Sequence, residues 1–163
     1  MKRFFKKIWN GVKSLYNKLV DKTRDLVPVA VNIVEGVKTV VDSPVDDIVA
    51  ELLKKAIPGV KDDIIIEKVH GIIIKQVPVI LSRLLMIDSI ANIKDPNQQL
   101  QAIVKQLRVA SDEQKNVAYH GLATLIIEKL SDGKLTWGES AMIAEYYYQN
   151  FTKPQKQLKN GKI

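Results

Sequence analysis

The stretch "SDEQKNVAYHGLATLIIEKLSDGKLTWGES", residues 111–140, decides the fold. Ser111 with Gln114 three positions on has the spacing of a capping box, in which hydroxyl and amide satisfy each other's backbone donors at a helix start. Val117, Ala118, Gly121, Leu122, Leu125, Ile126 and Leu130 then recur at three- and four-residue intervals, one face of a helix. Asp132-Gly133 is a turn signal. Thr136 and Glu139 repeat the capping box and open a last helix that ends near Phe151. Helix, corner, helix is the reading.

The corner has a second reading. From Asp132 the pattern D-G-x-L-T-x-x-E matches the back half of a calcium loop. With Asp132 at loop position 5, Gly133 takes the sharp turn at 6, Thr136 falls at 9 and Glu139 at 12. The front half fails, because Leu130 stands at position 3, where a side-chain oxygen is needed. Asp132, Thr136 and Glu139 are thus a degenerate cation candidate, and the stretch reads as a corner. No metal or other cofactor is expected.

Working outward, the same period of 3.6 organises the rest. Asp95-Pro96 supplies a cap and a first-turn proline ahead of Leu100, Ile103, Val104 and Leu107. Asp62 and Asp63 begin a helix carrying Ile65, Ile66, Val69, Ile73 and Val77, which Pro78 should kink or break before Leu81, Leu84 and Leu85. Ser43-Pro44-Val45-Asp46 predicts a helix start with Val45, Ile48, Val49, Leu52, Leu53 and Ala56 on one face. Val29, Ile33, Val37 and Val40/Val41 keep a helical rhythm despite their β-branching. Gly36, Gly71 and Gly121 mark either close helix crossings or local bends. The expectation is an all-α, compact bundle of about six to eight short helices.

Charge divides the chain. Of 163 residues with net charge +7, the first 25 carry eight Lys/Arg against two acids. The last twelve, TKPQKQLKNGKI, hold four lysines and no acid. Three parts are therefore expected: a basic amphipathic helix over 1–27 that ends before Pro28, a helical domain over 28–151, and a basic tail over 152–163. With no cysteine, thiol chemistry and disulfides are excluded. The apolar run GIIIKQVPVILSRLLMI, residues 71–87, is interrupted by Lys75, Pro78 and Arg83, so no transmembrane span is expected. Nor does the N-terminus read as a secretion signal, lacking a continuous apolar stretch and a cleavage site.

Nothing assembles a catalytic centre. His70 and His120 lie in no metal-binding spacing, and Asp46/Asp47 and Asp62/Asp63 sit where helix dipoles favour acids. No nucleophile or phosphate loop joins them, so the protein is read as non-enzymatic.

Contact residues are easier to find. In the N-terminal helix Phe4, Phe5, Ile8, Trp9, Val12 and Tyr16 form an apolar stripe among Lys2, Arg3, Lys6, Lys7 and Lys13. That stripe fits a groove on a partner protein or another copy, an anionic membrane surface, or one more packed helix of the body. Nucleic-acid contact through the two basic ends needs the lysines but does not explain the apolar residues. Tyr146, Tyr147, Tyr148 and Phe151 form a second cluster. Neighbouring helical positions point about 100° apart, so the three tyrosines cannot share one core and at least one is available for an interface.

The phrases KRFFKKIWNGVKSLYNKL, VNIVEGVKTVVDSPVDDIVAELL and LSDGKLTWGESAMIAEYYYQNF resemble small accessory proteins of tailed bacteriophages of gut Bacteroidetes, the crAss-like group among them. The resemblance spans most of the chain in outline and carries over no functional residue. It implies a phage protein without enzymatic activity, a virion component repeated in a symmetric assembly, located in the virion or the bacterial host cytoplasm.

Overall fold

The computed structural model describes residues 6, 7, 10, 11, 14, 21–58, 63–131 and 135–149, with the side chains of 21–26, Tyr146 and Tyr147 left aside. The protein is all-α, with no strand among the described residues. Its elements are α1 (Asp21–Asp42), α2 (Ile48–Ala56), α3 (Asp63–Gly71), a π-helical turn (Ile72–Gln76), α4 (Val77–Leu84), a 3-10 turn (Asp88–Asn92), α5 (Pro96–Val109), α6 (Asp112–Leu130) and α7 (Trp137–Tyr147). Because α3, the π turn and α4 follow without a gap, the described elements form six helical rods and one short turn.

The central helix is α1. Val27, Val29, Ala30, Val31, Ile33, Val34, Val37, Val40 and Val41 are all buried, which leaves little of its circumference free. A helix apolar nearly all round can only be stable inside a bundle, and α1 packs against α2, α5, α6 and α7. This corrects the boundary expected after Val27: α1 runs through Pro28 as one helix. Proline's missing N–H leaves one carbonyl without its intrahelical donor, but buried valines on both sides hold the axis in the core.

Pro78 is accommodated differently. The sequence predicts a kink or break; instead the backbone widens for five residues, and the Val77 N–H donates to the Ile72 carbonyl, five back instead of four. That local widening absorbs the clash a proline ring makes with the preceding turn. The rod stays continuous, and Ile73, Val77 and Leu81 stay in the core.

Beyond α1, helix starts follow the sequence with one exception. Ser111 and Thr136 both form complete capping boxes, and Asp95 caps α5 through the Gln98 N–H. Expected at Ser43-Pro44, the start of α2 lies instead at Asp47, whose carboxylate accepts the Ala50 N–H at 3.0 Å. Asn97 fixes it there from α5. Its Oδ1 accepts the Val49 N–H and its Nδ2 donates to Asp47, each at 3.1 Å. At the other end of this corner the Arg108 guanidinium donates to the Val40 and Val41 carbonyls, both at 3.0 Å, satisfying the last turn of α1.

The glycines separate into two kinds. A Cβ on Gly36 would stand 2.9 Å from Leu52 Cδ2, and one on Gly121 would stand 3.0 Å from both Leu84 methyls, so both mark close crossings. At Gly71 nothing lies within 4 Å; it is a packing-neutral position just before the π turn.

Candidate docking cleft

Three helices leave a cleft of about 250 Å³ between them. Val31, Val34, Glu35 and Lys38 come from α1, while Asn116, Tyr119, His120 and Ala123 come from α6. Each set has the spacing i, i+3, i+4, i+7, so each is one strip of a helix surface. The third side is Ala144 and Glu145 of α7 with Tyr148 just beyond it. Small and branched apolar residues (Val31, Val34, Ala123 and Ala144) make the floor, all of them buried. The rim is polar and aromatic.

Lys38 organises that rim. Its ammonium lies 5.3 Å from the centre of the Tyr119 ring and 6.0 Å from that of Tyr148. Glu35, one turn back, accepts from it at 3.0 Å. Such contacts are worth about 0.5–1 kcal/mol each at partly exposed sites, and here they hold both rings toward a common cation. Burial pushes the Tyr119 hydroxyl pKa up, and the negative charges of Asp42 and Glu35 push it further the same way. The phenol stays protonated and available as a donor. On the α7 side, Glu145 accepts from the Gln149 amide at 2.7 Å. The cleft thus combines an apolar floor with a polar and aromatic rim.

Of the residues singled out from sequence, Tyr148 lies in this cleft, at 36% exposure. Tyr146 and Tyr147 lie on α7, but their side chains are outside the described residues, as is Phe151. Lys6 and Lys7 are helical and exposed; Lys2, Arg3, Phe4, Phe5, Ile8, Trp9, Val12, Lys13 and Tyr16 are outside the described residues. His120 joins the rim, whereas His70 is exposed on α3 and does not. Tyr119 and Lys38 are gains of the structure. A signal for the cleft was present in Val31 and Val34, which add a second apolar strip to α1 beside the one through Ile33 and Val37.

At the α6–α7 corner Asp132 and Gly133 lie outside the described residues, but their neighbours are placed. Glu139 Oε2 accepts both the Thr136 N–H at 2.9 Å and the Thr136 hydroxyl at 3.1 Å, and Thr136 Oγ1 accepts the Glu139 N–H. Leu135 is buried between the helices. The candidate ligands Thr136 and Glu139 are therefore engaged as a helix cap, and among the described residues no three acidic or histidine side chains converge on a point.

No family model, curated protein or solved structure matches the chain.

Proposed function

We propose that this protein is a non-enzymatic interaction protein that docks through preformed helical faces, as a virion or assembly component of a tailed phage. The observation that carries the docking is the cleft between α1, α6 and α7. Tyr119 and Tyr148 stand over an apolar floor and are already ordered around Lys38. Little side-chain entropy remains to be lost when a partner covers them. Phage origin rests on the resemblance alone. The N-terminal stripe of Phe4, Phe5, Ile8, Trp9, Val12 and Tyr16 supplies a second contact, with its lysines steering the chain to an acidic partner. The exposed helical positions of Lys6 and Lys7 agree with that division of labour. Among the described residues no helix is long and apolar enough to cross a membrane.

The test is light scattering coupled to size exclusion on the full chain and on Tyr119→Ser/Tyr148→Ser. A defined oligomer for the full chain, reduced in order or affinity in the double variant at unchanged helicity, supports docking through the cleft. A monomer at every concentration that binds anionic vesicles saturably overturns it in favour of a membrane-surface protein. Removing residues 1–27 is a poor variant for this purpose, because the cut falls inside α1 and deletes the buried Val27.

A further inference from the structure

The end of α4 carries a conformation that its residue type does not favour. Met86 has φ 55°, the left-handed region, and follows Leu85 as the first residue past the helix. The Ile87 N–H donates to the Ser82 carbonyl at 2.8 Å and the Met86 N–H to the Arg83 carbonyl at 3.2 Å. This pair of bonds is the Schellman termination, and its left-handed position is ordinarily glycine. Here the chain places a long apolar side chain there and leaves it 89% exposed. Strain kept at a site without a packing reason points to use of the side chain elsewhere.

Its surroundings suggest what that use is. Val79, Ser82 and Arg83 follow the i, i+3, i+4 spacing along the outer strip of α4, with Met86 just past its end, and Val79 is 43% exposed. Beside them runs a groove of about 470 Å³ based on the buried Pro78 and Ile90, with Ile87 on its wall. Past Ile87 a smaller hollow of about 170 Å³ reaches Val109, itself 81% exposed. Among the described residues the groove is lined by one cation, Arg83, and one anion, Asp88, which flank Met86 in the chain. Neither is in an ion pair among the described residues.

We propose that this face pairs with the same face of a second copy. The contact is two-fold: Met86 of each chain enters the groove of the other, and Arg83 of each faces Asp88 of its mate. One charge of each sign, with an apolar projection next to an apolar groove, is complementary to itself after a half turn, as an isologous contact requires. An anionic lipid surface would call for an excess of cations, whereas among the described residues lining the groove Arg83 is balanced by Asp88. Methionine suits the role because its flexible thioether adapts to an irregular groove. The inference goes beyond docking through the cleft and uses different residues, so the dimer survives Tyr119→Ser/Tyr148→Ser.

Met86→Gly tests it cleanly, since glycine relieves the backbone while deleting the projection. In sedimentation equilibrium at about 0.15 M salt, where charges beyond ~8 Å are screened, the variant melts at or above the wild-type temperature. Its dimer dissociation constant rises at least about tenfold. Arg83→Glu alone and Asp88→Arg alone are each monomeric, and a one-to-one mixture of the two restores a dimer, because both cross-pairs become attractive again. A wild-type chain that is monomeric throughout, a Met86→Gly dimer as tight as wild type, or a mixture that fails to dimerise overturns the proposal.

Discussion

The α6–α7 hairpin and the α1–α2 corner are both helix-to-helix connections, and they are specified at opposite ranges. In the hairpin, each helix start is closed by a partner three residues away, Ser111 with Gln114 and Thr136 with Glu139. In the corner, the start of α2 is held by Asn97 and the end of α1 by Arg108, 48 to 68 residues distant from the groups they bind. The caps of the hairpin are thus satisfied within their own helices. Long-range partners hold the corner only once α5 is in place, so the corner depends on tertiary structure and transmits any disturbance of it.

The crossing glycines give the largest separation between the two regions. Alanine in a helix interior gains about 1 kcal/mol over glycine. At Gly36 the new Cβ would lie 2.9 Å from Leu52, which is fully buried, and 3.3 Å from Lys55 Cβ. Overpacking of that kind costs about 1–3 kcal/mol, so Gly36→Ala should destabilise the fold by up to about 2 kcal/mol net in urea unfolding. At Gly121 the contacts are the ends of one side chain, Leu84, which is only partly buried and can turn aside. Gly121→Ala should stay within about 0.5 kcal/mol of wild type. Equal losses at the two sites would show that the corner is no less forgiving than the hairpin.

A smaller effect follows from the caps. Ser111→Ala removes a local cap and should cost about 1 kcal/mol. Asn97→Ala removes two hydrogen bonds from the start of α2, also about 1 kcal/mol in total because Asp47 still caps the helix. The two variants differ in where the loss is felt. Amide exchange in Ser111→Ala should rise only over the first turn of α6. In Asn97→Ala it should rise at the starts of both α2 and α5, since one side chain ties them together. A change confined to α5 would mean that Asn97 does not set the start of α2.

This difference in range is also why the hairpin was legible in the sequence and the corner was not. Capping boxes and the Leu100, Ile103, Val104, Leu107 face are local patterns, and the structure reproduces them. Ser43-Pro44 offered an equally good local start, but Asn97, half the bundle away in sequence, placed the start at Asp47. Pro28 and Pro78 mislead for a related reason: a local breaker yields when flanking residues are buried in a shared core. Of the cleft, Tyr148 was legible because three adjacent tyrosines cannot all be buried together. Tyr119 and Lys38 were not, because their meeting depends on how α1 crosses α6. Met86 could not be found from sequence, since its left-handed backbone is a property of how α4 ends.

The subtlest contrast between the two regions is their response to acid. At the start of α2 the cap is a carboxylate. The hydrogen bond from the Ala50 N–H, and next the one from the Asn97 amide, hold the Asp47 pKa below its usual 3.8. A group whose folded pKa is depressed contributes stability above its unfolded value, and that contribution is lost as pH falls through the folded value. Acidification below about pH 4 should therefore weaken protection of the Val49 and Ala50 amides. The α6 cap uses the Ser111 hydroxyl and the Gln114 amide, neither of which titrates there, so the Gln114 N–H should keep its protection over the same range. In Asp47→Asn the side chain remains an acceptor but carries no proton equilibrium, and the difference between the two helix starts should vanish. If protection at Ala50 and Gln114 falls in parallel in the wild-type protein, the ionised Asp47 is not what fixes the α1–α2 corner. The burden would then pass to the neutral Asn97 bond to Val49 alone.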